Sequence, residues 1–263
     1  MTEPFVRESG SGPTVVCLHA SASSSSQWRA LAERLSGRFR LLAVDLHGCG
    51  RTPAWAQAQP LRLDDEVALL EPVWRSAGQR FHIVGHSYGG AVALKAALTH
   101  AGRVASLVVY EPVMFGLLTT TEPGSAAANE ITAVRDETLR LVGSNDLGGA
   151  ASRFGAYWLG REAWAALPQE RQTAMAASMP GVMPQWQAAF DDSTSLRDLA
   201  GLSMPIQLLG GAKSTLAARA VTRLLGRNLA QVAKHDLPEC DHMAPATVPE
   251  RVNPFIEQFL VNG

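Results

Sequence analysis

The sequence lacks the features that would place this chain in a membrane, on a nucleic acid or in a disulfide-stabilised fold. It contains only three cysteines, an odd number with neither metal-site spacing nor a disulfide framework. No apolar run reaches the roughly 20 residues that a membrane-spanning helix requires. The formal net charge of −1 creates no field that would attract nucleic acid or acidic lipid. We therefore expect neither a membrane nor a nucleic acid as a partner.

The beginning of the sequence lacks a basic region followed by an apolar one, which is the pattern of a secretory signal. A cytoplasmic location is the simplest expectation. The 263 residues can bury a large core, either as one big domain or as a core that carries an insertion.

Short apolar runs recur along the chain, and each ends at a polar or glycine-rich turn. These predicted strands are Thr14–Leu18, Leu41–Val44, Phe81–Val84, Val104–Tyr110, Pro205–Leu209 and Leu229–Val232. Continuous apolar runs of this length are typical of strands buried on both faces of a parallel sheet. Predicted helices lie between them, at 28–35, 64–74, 91–98, 217–225 and 249–261. The alternation predicts an α/β fold with a doubly wound, mostly parallel sheet and right-handed crossovers.

The alternation stops between about Pro112 and Leu202. This stretch has helix-like segments and no convincing strand. An all-helical insertion between two core strands is typical of a cap, so we predict a core formed by 1–112 and 202–263 and a helical cap formed by 113–201. The alternative is a set of extra helices packed on the flank of the sheet.

The most informative stretch runs from Gly85 to Gly89 and reads Gly-His-Ser-Tyr-Gly, between a predicted strand and a predicted helix. This order predicts a nucleophile elbow, a tight turn that forces Ser87 into a strained and exposed position. Gly85 and Gly89 are needed there because side chains would collide with the neighbouring strand and helix.

A serine hydroxyl is a weak nucleophile unless a base removes its proton, so Ser87 requires a histidine. His242 is the best candidate, since it lies in a loop after the last predicted strand, where strand ends converge on the ligand-binding face. The alternative is a solvated loop histidine. His86 must point away from the site because adjacent residues on the turn diverge, and His82 within its strand is a core or interface side chain.

A third group should orient the imidazole and stabilise its charged form. Glu111 closes a predicted strand after the elbow and before His242, which gives the order serine, acid, histidine. The next strand end, 208–214, offers no acid. We predict Glu111 as the acid; the alternative is a solvated or structural carboxylate there, with Asp236 or Glu239 as the acid.

A negative charge that develops on a substrate oxygen needs preorganised donors, an oxyanion hole. The backbone N–H of Tyr88 follows the nucleophile directly, and the loop 19–22 after the first predicted strand offers a second donor, for which we predict the N–H of Ser21. His19 is interpreted as a strut that holds this loop.

With these elements in place, the chain resembles the α/β-hydrolase superfamily over nearly its whole length. It is most similar to the cap-bearing esterases, C–C bond hydrolases and peroxidase-like members. The segment 45–52 looks like the superfamily's Asp-x-x-Gly-x-Gly-x-Ser/Thr turn, and the resemblance implies a structural role for Asp45. The usual His-Gly-x reads His-Ala-Ser at 19–21.

A larger departure concerns the acid. The family's commonest acid site, Gly-x-x-Asp after the penultimate strand, reads Gly-Gly-Ala-Lys at 210–213. A minority of relatives, such as some haloalkane dehalogenases, place the acid after the strand that follows the elbow helix. Glu111 matches that position.

The resemblance implies that haloalkane dehalogenases and epoxide hydrolases use aspartate at the elbow, so Ser87 argues against both and favours an acyl-enzyme route. We predict a serine hydrolase that cleaves a small carboxylic ester, a lactone or an activated carbonyl. The alternatives are a C–C bond hydrolase, an acyltransferase or a non-catalytic ligand-binding member. Arg153 and Arg161 are candidates for a basic pair that would favour an acidic substrate. A small molecule is the expected partner, no metal or organic cofactor is implied, and a homodimer stays an open alternative.

Overall fold

The computed structural model describes residues 2–262 and contains a seven-stranded sheet. The strands are β1 (Val6–Ser9), β2 (Thr14–Leu18), β3 (Arg40–Val44), β4 (Phe81–His86), β5 (Val104–Tyr110), β6 (Ile206–Gly211) and β7 (Val232–Leu237). Their order in the sheet is β1-β3-β2-β4-β5-β6-β7; β1 pairs antiparallel with β3, and the other neighbours pair in parallel. The predicted doubly wound, mostly parallel α/β fold is confirmed.

Thirteen α-helices are found in the described part of the chain. They are α1 (Arg29–Leu35), α2 (Leu63–Leu69), α3 (Glu71–Ser76), α4 (Tyr88–Thr99), α5 (Phe115–Thr121), α6 (Ala126–Gly143), α7 (Leu147–Leu159), α8 (Arg161–Ala165), α9 (Gln169–Asp191), α10 (Leu196–Ala200), α11 (Leu216–Asn228), α12 (Ala244–Thr247) and α13 (Pro249–Asn262). A short 3₁₀ turn, Ser25–Trp28, precedes α1, and the side chain of Ser24 caps it. Within residues 2–262, no helix has the length and apolar character needed to cross a membrane.

The core consists of two apolar clusters, one on each face of the sheet. Successive strand residues point to opposite faces, so Val15 and Cys17 of β2 pack with α1 and α13, whereas Val16 and Leu18 pack with α4 and α11. Because both faces are covered, the central strands are buried and read as continuous apolar runs.

Six helices, α5 to α10, lie between β5 and β6, and none of the described residues in this stretch forms a strand. Their large apolar side chains, such as Phe115, Trp158 and Trp186, belong to the same cluster as α4. The helical content therefore matches the prediction. The assignment of 113–201 as a cap domain stays a prediction, because shared packing does not by itself define a domain boundary.

The sequence prediction fails at the edges of the sheet. The last predicted strand, Leu229–Val232, is wrong, since β7 begins at Val232; Leu229 is the C-cap residue that follows α11 and packs in the core. Strand β1 was missed, because both edge strands are largely exposed and carry no continuous apolar run. The helix predicted over 64–74 is two helices, because Pro72 lies in the first turn of a new one.

Candidate active site

The turn between β4 and α4 holds Ser87 in a strained conformation, with φ of 54° and ψ of −118°. A Cβ atom on Gly85 would lie 2.5 Å from the carbonyl oxygen of Gly89, and one on Gly89 would lie 2.5 Å from that of His19. The predicted need for both glycines is confirmed. Ser87 is only 5% exposed, however, so its predicted exposure is wrong; side chains of α7 and α9 line the cavity above it.

The structure brings Ser87, His242 and Glu111 into one chain of hydrogen bonds. The Ser87 hydroxyl donates to Nε2 of His242 over 2.9 Å, and Nδ1–H of His242 donates to Oε2 of Glu111 over 2.7 Å. His242 and Glu111 are both buried. The alternative acids lie elsewhere, because Asp236 and Glu239 pair with surface lysines.

Glu111 is held by donors from the end of β6 and from the loop that follows it. The backbone N–H of Gly211 donates to Oε1 over 2.7 Å, and the hydroxyl of Ser214 donates to Oε2 over 2.6 Å. Burying an ionised carboxylate is costly unless hydrogen bonds and charge compensate it, and these donors together with His242 supply that compensation. Glu111 also has a positive φ, 43°, which for a non-glycine residue is a strained geometry typical of functional sites.

Two side chains beneath the site hold the loop that carries His242. Nε2–H of His86 donates to the carbonyl oxygen of His242 over 2.8 Å, and the hydroxyl of Tyr110 donates to the carbonyl of Asp241 over 2.6 Å. Burial, and then the neighbouring His242, hold the pKa of His86 well below its ordinary value, so this ring is a neutral donor. His86 thus points away from the Ser87 side of the turn, as predicted. Nothing in the sequence indicates that His86 and Tyr110 donate hydrogen bonds to the backbone of the loop that carries His242.

The loop after β2 carries the predicted second oxyanion donor. Among the described residues, the backbone N–H groups of Ser21 and Tyr88 donate to no other protein atom, which leaves both available to a substrate. His19 acts as a strut: its Nδ1–H donates to the carbonyl of Ala20 over 2.7 Å, and its Nε2 accepts from the N–H of Leu46 over 3.1 Å. Burial lowers the pKa of His19, which keeps the ring neutral. The assignment of the two donors stays a prediction.

A cavity of about 100 Å³ lies above Ser87. Its walls are mainly apolar and aromatic, with Phe154, Trp158, Leu159, Met175 and Trp186 from the helical stretch. The ring of Trp158 packs over the imidazole of His242, with 4.0 Å between the ring centroids and 30° between the planes. Apart from His242, no titratable side chain is found among the described residues that line this cavity.

The two candidate arginines do not line this cavity. Arg153 and Arg161 line a separate open groove, where Arg153 pairs with Glu137. The structure therefore gives no basic pair beside Ser87. Within residues 2–262, no three or more His, Cys, Asp or Glu side chains are grouped in a way that could hold a metal ion.

The turn that resembles the superfamily's acidic loop has a structural role. The carboxylate of Asp45 accepts hydrogen bonds from the backbone N–H groups of Ser25 and Arg51. Gly50 lies so close to this carboxylate that a side chain there would displace it. Asp45 thus ties two loops together and takes no part in the hydrogen-bond chain of Ser87.

Comparisons with known proteins agree with the α/β fold. A model of the alpha/beta hydrolase family matches residues 15–255. The chain is 29% identical to a pimeloyl-[acyl-carrier protein] methyl ester esterase of Methylococcus capsulatus, over 98% of this chain and 99% of the relative. It is 27% identical to the protein of the same name from Nitrosomonas europaea, over 95% and 97%. An esterase from Exiguobacterium antarcticum has a similar fold, with a TM-score of 0.78 and 19% identity over 98% of this chain and 95% of that one.

Proposed function

The chain belongs to the alpha/beta hydrolase family, and we propose that it cleaves a small, uncharged carboxylic ester through an acyl-enzyme formed on Ser87. An ester-cleaving hydrolase agrees with the names of two curated relatives, both of which are esterases. The observation that carries the assignment of residues is the hydrogen-bonded chain from Glu111 through His242 to Ser87. It has the order and the orientation that serine activation requires.

In the proposed reaction, Nε2 of His242 takes the proton of Ser87 as its oxygen attacks the ester carbonyl. Glu111 keeps the proton on Nδ1 and stabilises the imidazolium that forms. The N–H groups of Ser21 and Tyr88 bind the negative oxygen of the tetrahedral intermediate. His242 then returns the proton to the departing alcohol, and a water molecule activated by the same nitrogen attacks the acyl-enzyme and releases the acid.

The cavity favours an uncharged group at the reacting end of the substrate. Its lining is mainly apolar, and among residues 2–262 it carries no cationic side chain other than His242 in its protonated form. A substrate carboxylate buried here would lack a partner, at a cost of several kcal/mol. This argues against C–C cleavage of an acidic diketone and favours esters of small alcohols. The names of the two relatives refer to a methyl ester, so methyl esters are the class to test first.

Labelling with a fluorophosphonate probe tests the nucleophile. We expect the parent protein to take up one phosphonyl group on Ser87, as mapped by mass spectrometry, and Ser87→Ala to take up none. Ser23→Ala is the matched control, because Ser23 lines the same cavity without a hydrogen bond to His242. Equal labelling of Ser87→Ala and the parent would refute the assignment. Hydrolysis of methyl butyrate, compared with cleavage of an acidic β-diketone, then tests the substrate class.

A further inference from the structure

We propose that Ser214 is a positioning residue for the acid of this site, and that position 214 can itself carry the acid. The inference rests on the proposed function, since it concerns how Glu111 serves His242. The observation behind it is that one carboxylate oxygen, Oε2 of Glu111, accepts two short hydrogen bonds. One comes from the Ser214 hydroxyl over 2.6 Å and the other from Nδ1–H of His242 over 2.7 Å.

The two strand ends explain why these groups meet. Strands β5 and β6 are parallel neighbours, and the N–H of Glu111 donates to the carbonyl of Leu209 over 3.0 Å. The end of β6 and the loop that follows it therefore pass directly beside the side chain of Glu111. From there Gly211 holds Oε1 and Ser214 holds Oε2, so each oxygen of the carboxylate has its own donor.

This pair of donors determines the orientation of the carboxylate. The terminal torsion of a glutamate side chain is soft, so an unsupported carboxylate could rotate and turn Oε2 away from the imidazole. With Gly211 on one oxygen and Ser214 on the other, rotation would break one buried and one partly buried hydrogen bond. The loop that lacks the family's usual acid thus supplies the groups that keep Glu111 in place.

Position 214, and not position 213, faces the acid. Lys213 occupies the site of the usual acid by its spacing from Gly210, but its side chain is 59% exposed and pairs with Glu239. The Ser214 side chain lies against Oε2 of Glu111 instead. An aspartate reaches one bond further than a serine, so with Glu111 shortened to alanine an aspartate at 214 would fill the vacated space next to Nδ1 of His242.

The first test removes the hydroxyl. We expect Ser214→Ala to lower kcat for ester hydrolysis about 10-fold, which is the scale for a hydrogen bond to a charged group, with KM changed less than about twofold. Ser214→Thr keeps the hydroxyl and should restore kcat. Lys213→Ala, one residue earlier, should match the parent.

The second test moves the acid. We expect Glu111→Ala to lower kcat on the order of 10³-fold, and the double variant Glu111→Ala/Ser214→Asp to recover about 10-fold or more of that loss. The matched control is Glu111→Ala/Lys213→Asp, which places an aspartate one residue earlier in the same loop and should recover nothing. Circular dichroism and thermal unfolding confirm that the variants fold. If the alanine variant does not fold, Glu111→Gly replaces it as background, because glycine leaves the same space and adopts the positive φ of this position readily.

Two outcomes would overturn the inference. One is a Ser214→Ala variant with the kcat of the parent; the other is a folded relocation variant that recovers no more than its Lys213→Asp control. Failure of the proposed function would look different, because the parent itself would then neither react with the fluorophosphonate at Ser87 nor hydrolyse esters. A merely structural role for Ser214 would lower the unfolding temperature without lowering kcat.

Discussion

The neighbouring strands β4 and β5 end in similar backbone geometry that is held in different ways. Ser87 and Glu111 each follow the last residue of a strand, and both are non-glycine residues with positive φ. At the serine end, close packing of the backbone around Gly85 and Gly89 leaves the chain no other path. At the acid end, hydrogen bonds from a loop about 100 residues further along the chain hold Glu111 in place. Steric crowding is thus local in sequence, whereas the support of the acid is not.

The largest expected effect comes from the acid end. Glu111→Gln should lower kcat by on the order of 10³- to 10⁴-fold, because the amide carries no charge to stabilise the imidazolium and no longer favours the required tautomer of His242. Steady-state hydrolysis of a methyl ester measures this loss. Asp236→Asn is the control, since Asp236 pairs with Lys234 at the surface and should keep the parental rate. A Glu111→Gln enzyme with parental kcat would mean that the site works without this carboxylate.

Because the backbone is crowded around Gly89, adding a side chain there should lower the stability of the fold. Gly89→Ala places a methyl group against the carbonyl oxygens of Leu18 and His19, so we expect the free energy of unfolding to fall by about 3 to 4 kcal/mol. Gly210→Ala at the end of β6 is the matched control. Its new Cβ would come no closer than 3.4 Å to any neighbour, and we expect a change below about 1 kcal/mol. Urea unfolding measures the free energy of unfolding of both variants. Equal losses would show that crowding does not make Gly89 harder to replace than Gly210.

The difference between crowding by residues close in sequence and support by residues far away in sequence also explains which features could be predicted from the sequence. Strands β2 and β5 match their predicted bounds residue for residue, because both are almost fully buried and read as continuous apolar runs. The elbow was predictable because its glycines and Ser87 lie within five consecutive residues. The support of Glu111 was not, since Gly211 and Ser214 are ordinary residues whose role depends on how β5 and β6 pair. The hydrogen bonds of His86 and Tyr110 to the histidine loop depend on tertiary packing in the same way.

A second buried carboxyl group, Glu66, lies behind the serine end and contrasts with Glu111. It accepts hydrogen bonds from the hydroxyl of Tyr88 and the N–H of His47, each over 3.2 Å, and no cation pairs with it among the described residues. Burial raises the pKa of Glu66 from 4.5 to about 7, and the two hydrogen bonds offset part of this rise. Between these pH values the folded protein keeps a proton that the unfolded chain releases, so stability should fall as pH rises from about 4.5 to 7.

Replacing Glu66 with a group that does not titrate should remove this fall in stability with rising pH. We expect Glu66→Gln to be more stable than the parent by about 2 to 3 kcal/mol at pH 8, and to lose the decline in stability between pH 5 and 7. Urea unfolding at several pH values measures the slope. Glu33→Gln on the exposed side of α1 serves as the control and should follow the parent. Parallel slopes for Glu66→Gln and the parent would show that Glu66 does not titrate in this range.

The smallest expected effect concerns the loop that both strand ends support. Tyr110→Phe on β5 removes the hydrogen bond to the carbonyl of Asp241, and we expect a loss of about 1 kcal/mol in stability and about twofold in kcat. Tyr157→Phe removes a comparable hydroxyl bond to Glu130, away from His242, and should lower stability without changing kcat. If kcat is unchanged in Tyr110→Phe as well, the bond from His86 alone keeps the base in place. The strand that carries the nucleophile would then position the base too, and β5 would contribute only the acid.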